Sequence, residues 1–172
     1  DGMIDYLIVI HAGVGEEAGG GAQGSDAIWS HRWNLGGLYP IEGTEYTDEN
    51  GNTRPYYAYD YTIEPEDGAA GVFCHEFGHD LGAPDEYDTI YSSASSEPVA
   101  FWSLMSSGSW GGAIPGTEPT GISPYSRQLF QNIYGGRWQN QTVIDYSALS
   151  KRGTKYTINS AAETGDVLRI NL

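Results

Sequence analysis

His75-Glu76-Phe77-Gly78-His79-Asp80-Leu81-Gly82-Ala83-Pro84-Asp85 places two histidines four residues apart in a segment with helical spacing. At 3.6 residues per turn both imidazoles project from one face, one turn apart, so both reach a single metal ion. Glu76 sits about 100° around from His75, beside such an ion rather than on it, where it can polarise a water. Val72, Phe73, Phe77 and Leu81 supply the apolar surface of the same helix. Gly82 stands where the helix must stop sharply, and glycine tolerates the positive φ of such a cap. Three residues on, Asp85 can fold back as a third ligand and leave the fourth position of a tetrahedral zinc open. Glu86 and Asp88 compete with Asp85 for that role, and any of these acids can instead cap a turn or bind calcium.

Upstream, Ile4-Asp5-Tyr6-Leu7-Ile8-Val9-Ile10 is a nearly continuous apolar run, which suits a strand buried on both faces. The glycine-rich stretch Gly13 to Gly21 follows. It fits the letters of a dinucleotide loop, but Glu16 and Glu17 occupy the place of a pyrophosphate, so it reads as a turn. Ser25 is an N-cap candidate for a short helix through Trp33. Leu38 to Glu42 and Tyr46-Thr47 read as strand pieces, with a turn at Asp48 to Asn52. Tyr57, Tyr59, Tyr61 and Ile63 alternate as in a strand, and the end of this strand near Ile63 is expected to pair with an extended substrate. Glu64-Pro65-Glu66-Asp67 has the acids and proline of a helix start. Thr89 to Pro124 is rich in Ser, Gly and Pro and reads as loop, and Ser126 to Tyr134 as a helix with Leu129, Phe130 and Ile133 on one face.

The last stretch differs in charge and pattern. Thr142-Val143-Ile144, Tyr156-Thr157-Ile158 and Val167 to Ile170 read as short strands. Five of the eight basic residues (Arg137, Lys151, Arg152, Lys155, Arg169) lie there. The expected division is a catalytic unit over 1–136, itself a fragment of a longer protein, and a β-rich appendage over 137–172 packed on it.

Composition excludes several classes. The 172 residues carry 23 acidic against 8 basic side chains, a net charge of −15, which repels phosphate backbones and anionic lipid. No nucleic-acid partner and no membrane insertion are expected, since no run of eighteen apolar residues occurs. With 39% apolar and 13% aromatic residues the chain has the means to fold despite its charge. The lone Cys74 rules out an internal disulfide and is expected to be buried as a small hydrophobe. His11 and His31 lack ligand spacing and read as hydrogen-bonded structural residues.

The spacing from His75 to Asp85 resembles the metzincin signature, with aspartate where most members have a third histidine. Met105, within Phe101-Trp102-Ser103-Leu104-Met105-Ser106-Ser107-Gly108, is similar to the methionine turn beneath the metal of those enzymes. More narrowly, His75 to Thr89 and Ser103 to Trp110 resemble the immune inhibitor A family of secreted bacterial metallopeptidases. Ile8 to Gly21, Asp26 to Gly37 and Gly112 to Pro124 do so as well. That resemblance implies an α/β (α+β) fold with a mixed twisted sheet, an active-site helix, the methionine turn and a short β-rich C-terminal segment. It implies zinc held by His75, His79 and Asp85, and hydrolysis of peptide bonds in proteins by a metal-activated water with Glu76 as general base. Gly82 and Met105 would support the ligands, and Tyr87 or Tyr125 would stabilise the transition state, since related enzymes use a tyrosine near the metal. The implied setting is extracellular, as a monomer made with a propeptide, acting on protein or peptide substrates, with calcium open as a second ion. The rival readings are a catalytically inactive or latent homologue and a calcium-stabilised surface-binding module.

Overall fold

The computed structural model describes residues 2–90, 97–150 and 152–172. The fold is α+β with a mixed sheet. Its first sheet joins β1 (Ile8–His11), β2 (His31–Pro40) and β5 (Tyr57–Pro65) in the order β1-β5-β2, with β1 parallel and β2 antiparallel to β5. A two-stranded hairpin of β3 (Tyr46–Thr47) and β4 (Thr53–Arg54) closes over the expected turn. There the Asp48 carboxylate accepts from the Asn50 and Asn52 amides and from Arg54, so it is used up by its own turn. α1 (Ala70–Asp80) packs across β5 and β2; two 3-10 turns, Ala100–Trp102 and Ser107–Trp110, precede α2 (Pro124–Tyr134). The last stretch holds β6 (Asn140–Asp145), the single-turn α3 (Ala161–Thr164) and β7 (Asp166–Asn171), with β6 and β7 paired in parallel.

Several expectations need correction. β5, with its alternating aromatics, takes the central place, so β1 is an edge strand and its Ile8, Val9 and Ile10 are exposed rather than buried on both faces. For the same reason β5 has no free edge for a substrate; the open edge beside the helix belongs to β2. The expected helix from Ser25 is only a 3-10 turn over Gly24–Asp26, and the chain from His31 onward is strand. That strand forms because β5 offers it a ladder, a non-local partner that local helix signals do not register. Asn34 and Tyr39 bracket an irregularity in the ladder, where Gly36 takes φ +75°.

Glu64 and Pro65 finish β5 instead of starting a helix: Ile10 pairs with Glu64 and His11 with Pro65, and α1 begins at Ala70. α2 starts two residues earlier than read, because Ser123 caps it by accepting from the Ser126 amide and Pro124 fills the first turn. On its face Phe130 is buried, Leu129 half-buried and Ile133 exposed. Tyr156-Thr157-Ile158 is not a strand. Cys74 is exposed, turned by the helix away from the sheet. Of the Thr89 to Pro124 loop, residues 91–96 lie outside the described residues, as does Lys151 of the basic tail. Among the described residues no helix is long and apolar enough to cross a membrane.

The core that matters for function joins Ala83, Met105 and Phe130, with Leu81, Leu104 and Ile122 packed around it. It ties the end of α1 to the segment around Met105 and to α2.

Candidate metal centre

α1 ends in a Schellman cap. The Ala83 amide donates to the Gly78 carbonyl and the Gly82 amide to the His79 carbonyl, with Gly82 at φ +97°. A side chain at that position would be strained, which is why glycine stands where the chain reverses. The reversal carries Asp85 back over the helix face that holds the two histidines.

There three acceptor atoms converge. Asp85 Oδ1 lies 3.2 Å from His75 Nε2 and 3.1 Å from His79 Nε2, and the two Nε2 atoms are 3.2 Å apart. Each imidazole is oriented through its other nitrogen: His75 Nδ1 donates to the Leu104 carbonyl at 2.9 Å and His79 Nδ1 to the Ala83 carbonyl at 2.7 Å. In the neutral rings both Nε2 atoms therefore present lone pairs. Three lone-pair atoms at such separations repel unless a cation or proton lies between them. Ligands about 2.0–2.1 Å from a tetrahedral zinc stand about 3.3–3.4 Å apart, so the donor set fits that ion in type, number and spacing. Among the described residues this is the one group of three or more His, Cys, Asp or Glu side chains close enough to share a metal.

With protons rather than a cation between these atoms, the same closeness shifts how they titrate. Burial works against the charged form of His79, yet its hydrogen bonds to Asp85 and to the Ala83 carbonyl outweigh it and raise its pKa. Burial likewise opposes the charge on Asp85, but hydrogen bonds from both imidazoles hold its carboxyl below the usual range. Glu76, buried beside them, is pushed up by burial, partly offset by the two histidines.

Met105 is fully buried beneath the helix. A Cβ at Gly78 would come within 2.5 Å of its sulfur, so the absence of a side chain between His75 and His79 lets the methionine sit directly under them. The rival acids are placed elsewhere. Glu86 Oε1 accepts from Ser123 Oγ at 2.6 Å and Ser126 Oγ at 2.7 Å, while its amide donates to the Met105 carbonyl at 2.7 Å. Asp88 accepts from the Ile90 amide. Tyr87 stacks on His75 with ring centres 6.3 Å apart. Tyr125 is exposed and lines an adjoining hollow rather than the main cleft.

The centre opens into a cleft of about 1010 Å³. Its far wall is the start of the β2 edge, Trp29 to Arg32, with Glu17 behind it; Ser106 to Trp110 contribute the near wall. His31, expected as a hydrogen-bonded structural residue, donates from Nδ1 to the Trp29 carbonyl at 2.7 Å, and it also lines the cleft. Arg32, also unflagged, pairs with Asp60 and, at 3.3 Å, with Asp80, pinning α1 to the sheet. Neither residue carries a local motif; only the pairing of β2 with β5 brings them to the helix.

A family model described as "Immune inhibitor A peptidase M6, catalytic domain" matches residues 1–139. The chain is 52% identical over 158 residues to "Pre-pro-metalloprotease PrtV" of Vibrio cholerae serotype O1, in strains M66-2 and ATCC 39315 / El Tor Inaba N16961. It is 54% identical over 157 residues to "Immune inhibitor A" of Bacillus thuringiensis subsp. alesti. These matches cover 92% and 88% of this chain but 17% and 22% of the relatives, so the chain spans about a fifth of their length.

Proposed function

From its place in the immune inhibitor A peptidase M6 family, to which this chain belongs, we propose that it is the catalytic unit of a zinc-dependent endopeptidase. The observation that carries this reading is the convergence of His75 Nε2, His79 Nε2 and Asp85 Oδ1 at 3.1–3.2 Å, with buried Glu76 beside them. These three residues would hold the zinc, which when bound supplies Lewis acidity to the attacking water and the scissile carbonyl.

The remaining work falls to side chains. Glu76 takes the proton of the attacking water on its carboxylate and passes it to the leaving amine nitrogen as the C–N bond breaks. Burial holds its pKa above the ordinary carboxylate value, which suits a group that must both accept and return a proton. Met105, fully buried against Gly78, would support the imidazoles from beneath. Tyr87, stacked on His75, is the better placed of the two tyrosines to stabilise developing negative charge. An extended substrate main chain would lie along the open edge of β2, each alternate backbone group offering it a hydrogen bond.

The wider setting is also proposed: a secreted monomer, made with a propeptide, that acts on proteins or peptides, with residues 137–172 as a β-rich appendage to the catalytic unit. The test is cleavage of casein by the zinc-loaded chain with and without chelator, alongside Glu76→Gln. Chelator-sensitive cleavage that Glu76→Gln abolishes supports the reading. Zinc binding without cleavage would favour a latent homologue.

A further inference from the structure

The glycine-rich stretch after β1 has no part in the chemistry above, yet it reaches the cleft. We propose that Glu17 is a positioning residue for substrate, clamping Ser30 so that the open edge of β2 is fixed across the cleft from His75 and Glu76; this rests on the peptidase reading. Both carboxylate oxygens are engaged by one residue: Oε2 accepts from the Ser30 amide at 3.0 Å and Oε1 from Ser30 Oγ at 2.6 Å. Ser30 is buried, and it immediately precedes His31, the first residue of β2. A second tie lies alongside, from the Glu16 amide to the Ile28 carbonyl at 3.0 Å.

The glycines make this fold possible. A Cβ at Gly15 would meet Glu17 Oε1 at 2.3 Å, and one at Gly20 would meet the Gly24 carbonyl oxygen at 1.9 Å. The bare Gly15 leaves room for the carboxylate to turn back onto Ser30, and the bare Gly20 lets the following turn close on Gly24. The clamp matters because the beginning of β2 is an edge. It is paired on one side only, by His31 with Ile63 and Arg32 with Thr62, and both His31 and Arg32 line the cleft. An edge strand held at one side frays at its end unless something anchors it. Here the anchor is a carboxylate accepting two hydrogen bonds, the stronger kind.

The experiment compares zinc-loaded parent, Glu17→Ala, Glu17→Gln and Ser30→Ala on a long internally quenched peptide and a short blocked one. Glu17→Ala should raise KM for the long peptide about ten-fold, the loss of one to two such bonds, with the larger part of the change in KM rather than kcat. The short peptide, which reaches little of the edge, should lose about two-fold. Glu17→Gln, able to keep a bond to the Ser30 amide, should recover most of the loss, and Ser30→Ala should fall between. Equal losses on both peptides, a loss confined to kcat, loss of zinc, or a glutamine variant no better than alanine would overturn the proposal.

A parent that cleaves neither peptide would refute the peptidase reading alone. The clamp is then scored by fluorescence anisotropy of the long peptide, labelled, on the zinc-loaded chain, together with hydrogen exchange at the Ser30 amide. Weaker peptide binding and faster exchange in Glu17→Ala support it, and no change in either overturns it.

Discussion

Replacing Glu86 by alanine tests whether the loop bearing Asp85 is held from behind. Glu86 Oε1 accepts from Ser123 Oγ and Ser126 Oγ at 2.6 and 2.7 Å, and both serines are buried. Each bond has a charged acceptor and is worth about 1.5–3 kcal/mol net when deleted from one side. The two share one oxygen, so their sum is less than additive and the expected loss is about 2–4 kcal/mol. Part of that is returned, because Glu86 Oε2 is buried without a partner and its desolvation is relieved by the same change. A net loss of about 1.5–3 kcal/mol should lower the melting temperature of a chain this long by about 3–12 °C. The Asp85 loop then loses this charged tie to α2 and keeps the Glu86 amide bond to the Met105 carbonyl, the Tyr134 hydroxyl bond to the Leu81 carbonyl and the packing of Ala83 on Phe130. Zinc affinity should fall about ten-fold by competition with a chromophoric chelator, and Glu86→Gln should lose less on both counts. Parental melting temperature together with parental zinc affinity in Glu86→Ala would refute the reasoning.

Asp85→Ala should weaken zinc binding by two or more orders of magnitude in the same competition assay, since a cation held by three protein ligands would keep two. Glu76→Gln should bind zinc normally while casein hydrolysis falls about 10²–10⁴-fold; near-parental turnover would remove Glu76 from the proton path. Gly78→Val should bring a side chain against the Met105 sulfur, costing about 1–3 kcal/mol by overpacking and lowering zinc affinity, read by thermal unfolding and zinc titration. Glu64, fully buried at the end of β5, is pushed up to about 7 by burial, reinforced by the charges of Glu76 and Asp80. Because the folded state binds its proton more tightly than the unfolded chain, stability is highest below about pH 4.5 for this group and falls as pH rises to about 7, by on the order of 3 kcal/mol. Glu64→Gln should remove that fall from the pH profile of unfolding free energy, and an identical profile would count against it.

What the sequence made legible was local. His75, Glu76 and His79 lie within one helix, where spacing fixes which side chains share a face; Gly82 and Asp85 lie in the turn that ends it, where spacing left Glu86 and Asp88 as rivals of Asp85. Met105 was singled out only through the resemblance of its surroundings to a methionine turn. The misreadings share a cause: each depended on a partner far along the chain. Ser25 to Trp33 has the cap of a helix, but β5 pulls its second half into a strand. The apolar run ending at Ile10 has the composition of a central strand, but β5 takes the centre and leaves it exposed. Glu64 and Pro65 look like a helix start until the pairing with Ile10 and His11 extends the strand through them. The supports of the candidate site were invisible for the same reason, since Glu17 finds Ser30 thirteen residues away and Glu86 finds Ser126 forty away. No periodicity records such contacts.

The central claim is that His75, His79 and Asp85 together hold one zinc. Its most direct test is the zinc content of the purified chain, by elemental mass spectrometry after dialysis against a buffer containing the metal, for the parent and for His79→Ala. About one zinc per parent chain and almost none in the variant is the expected result. A parent chain without zinc, or a variant that retains it in full, would mean that these three residues do not form the site.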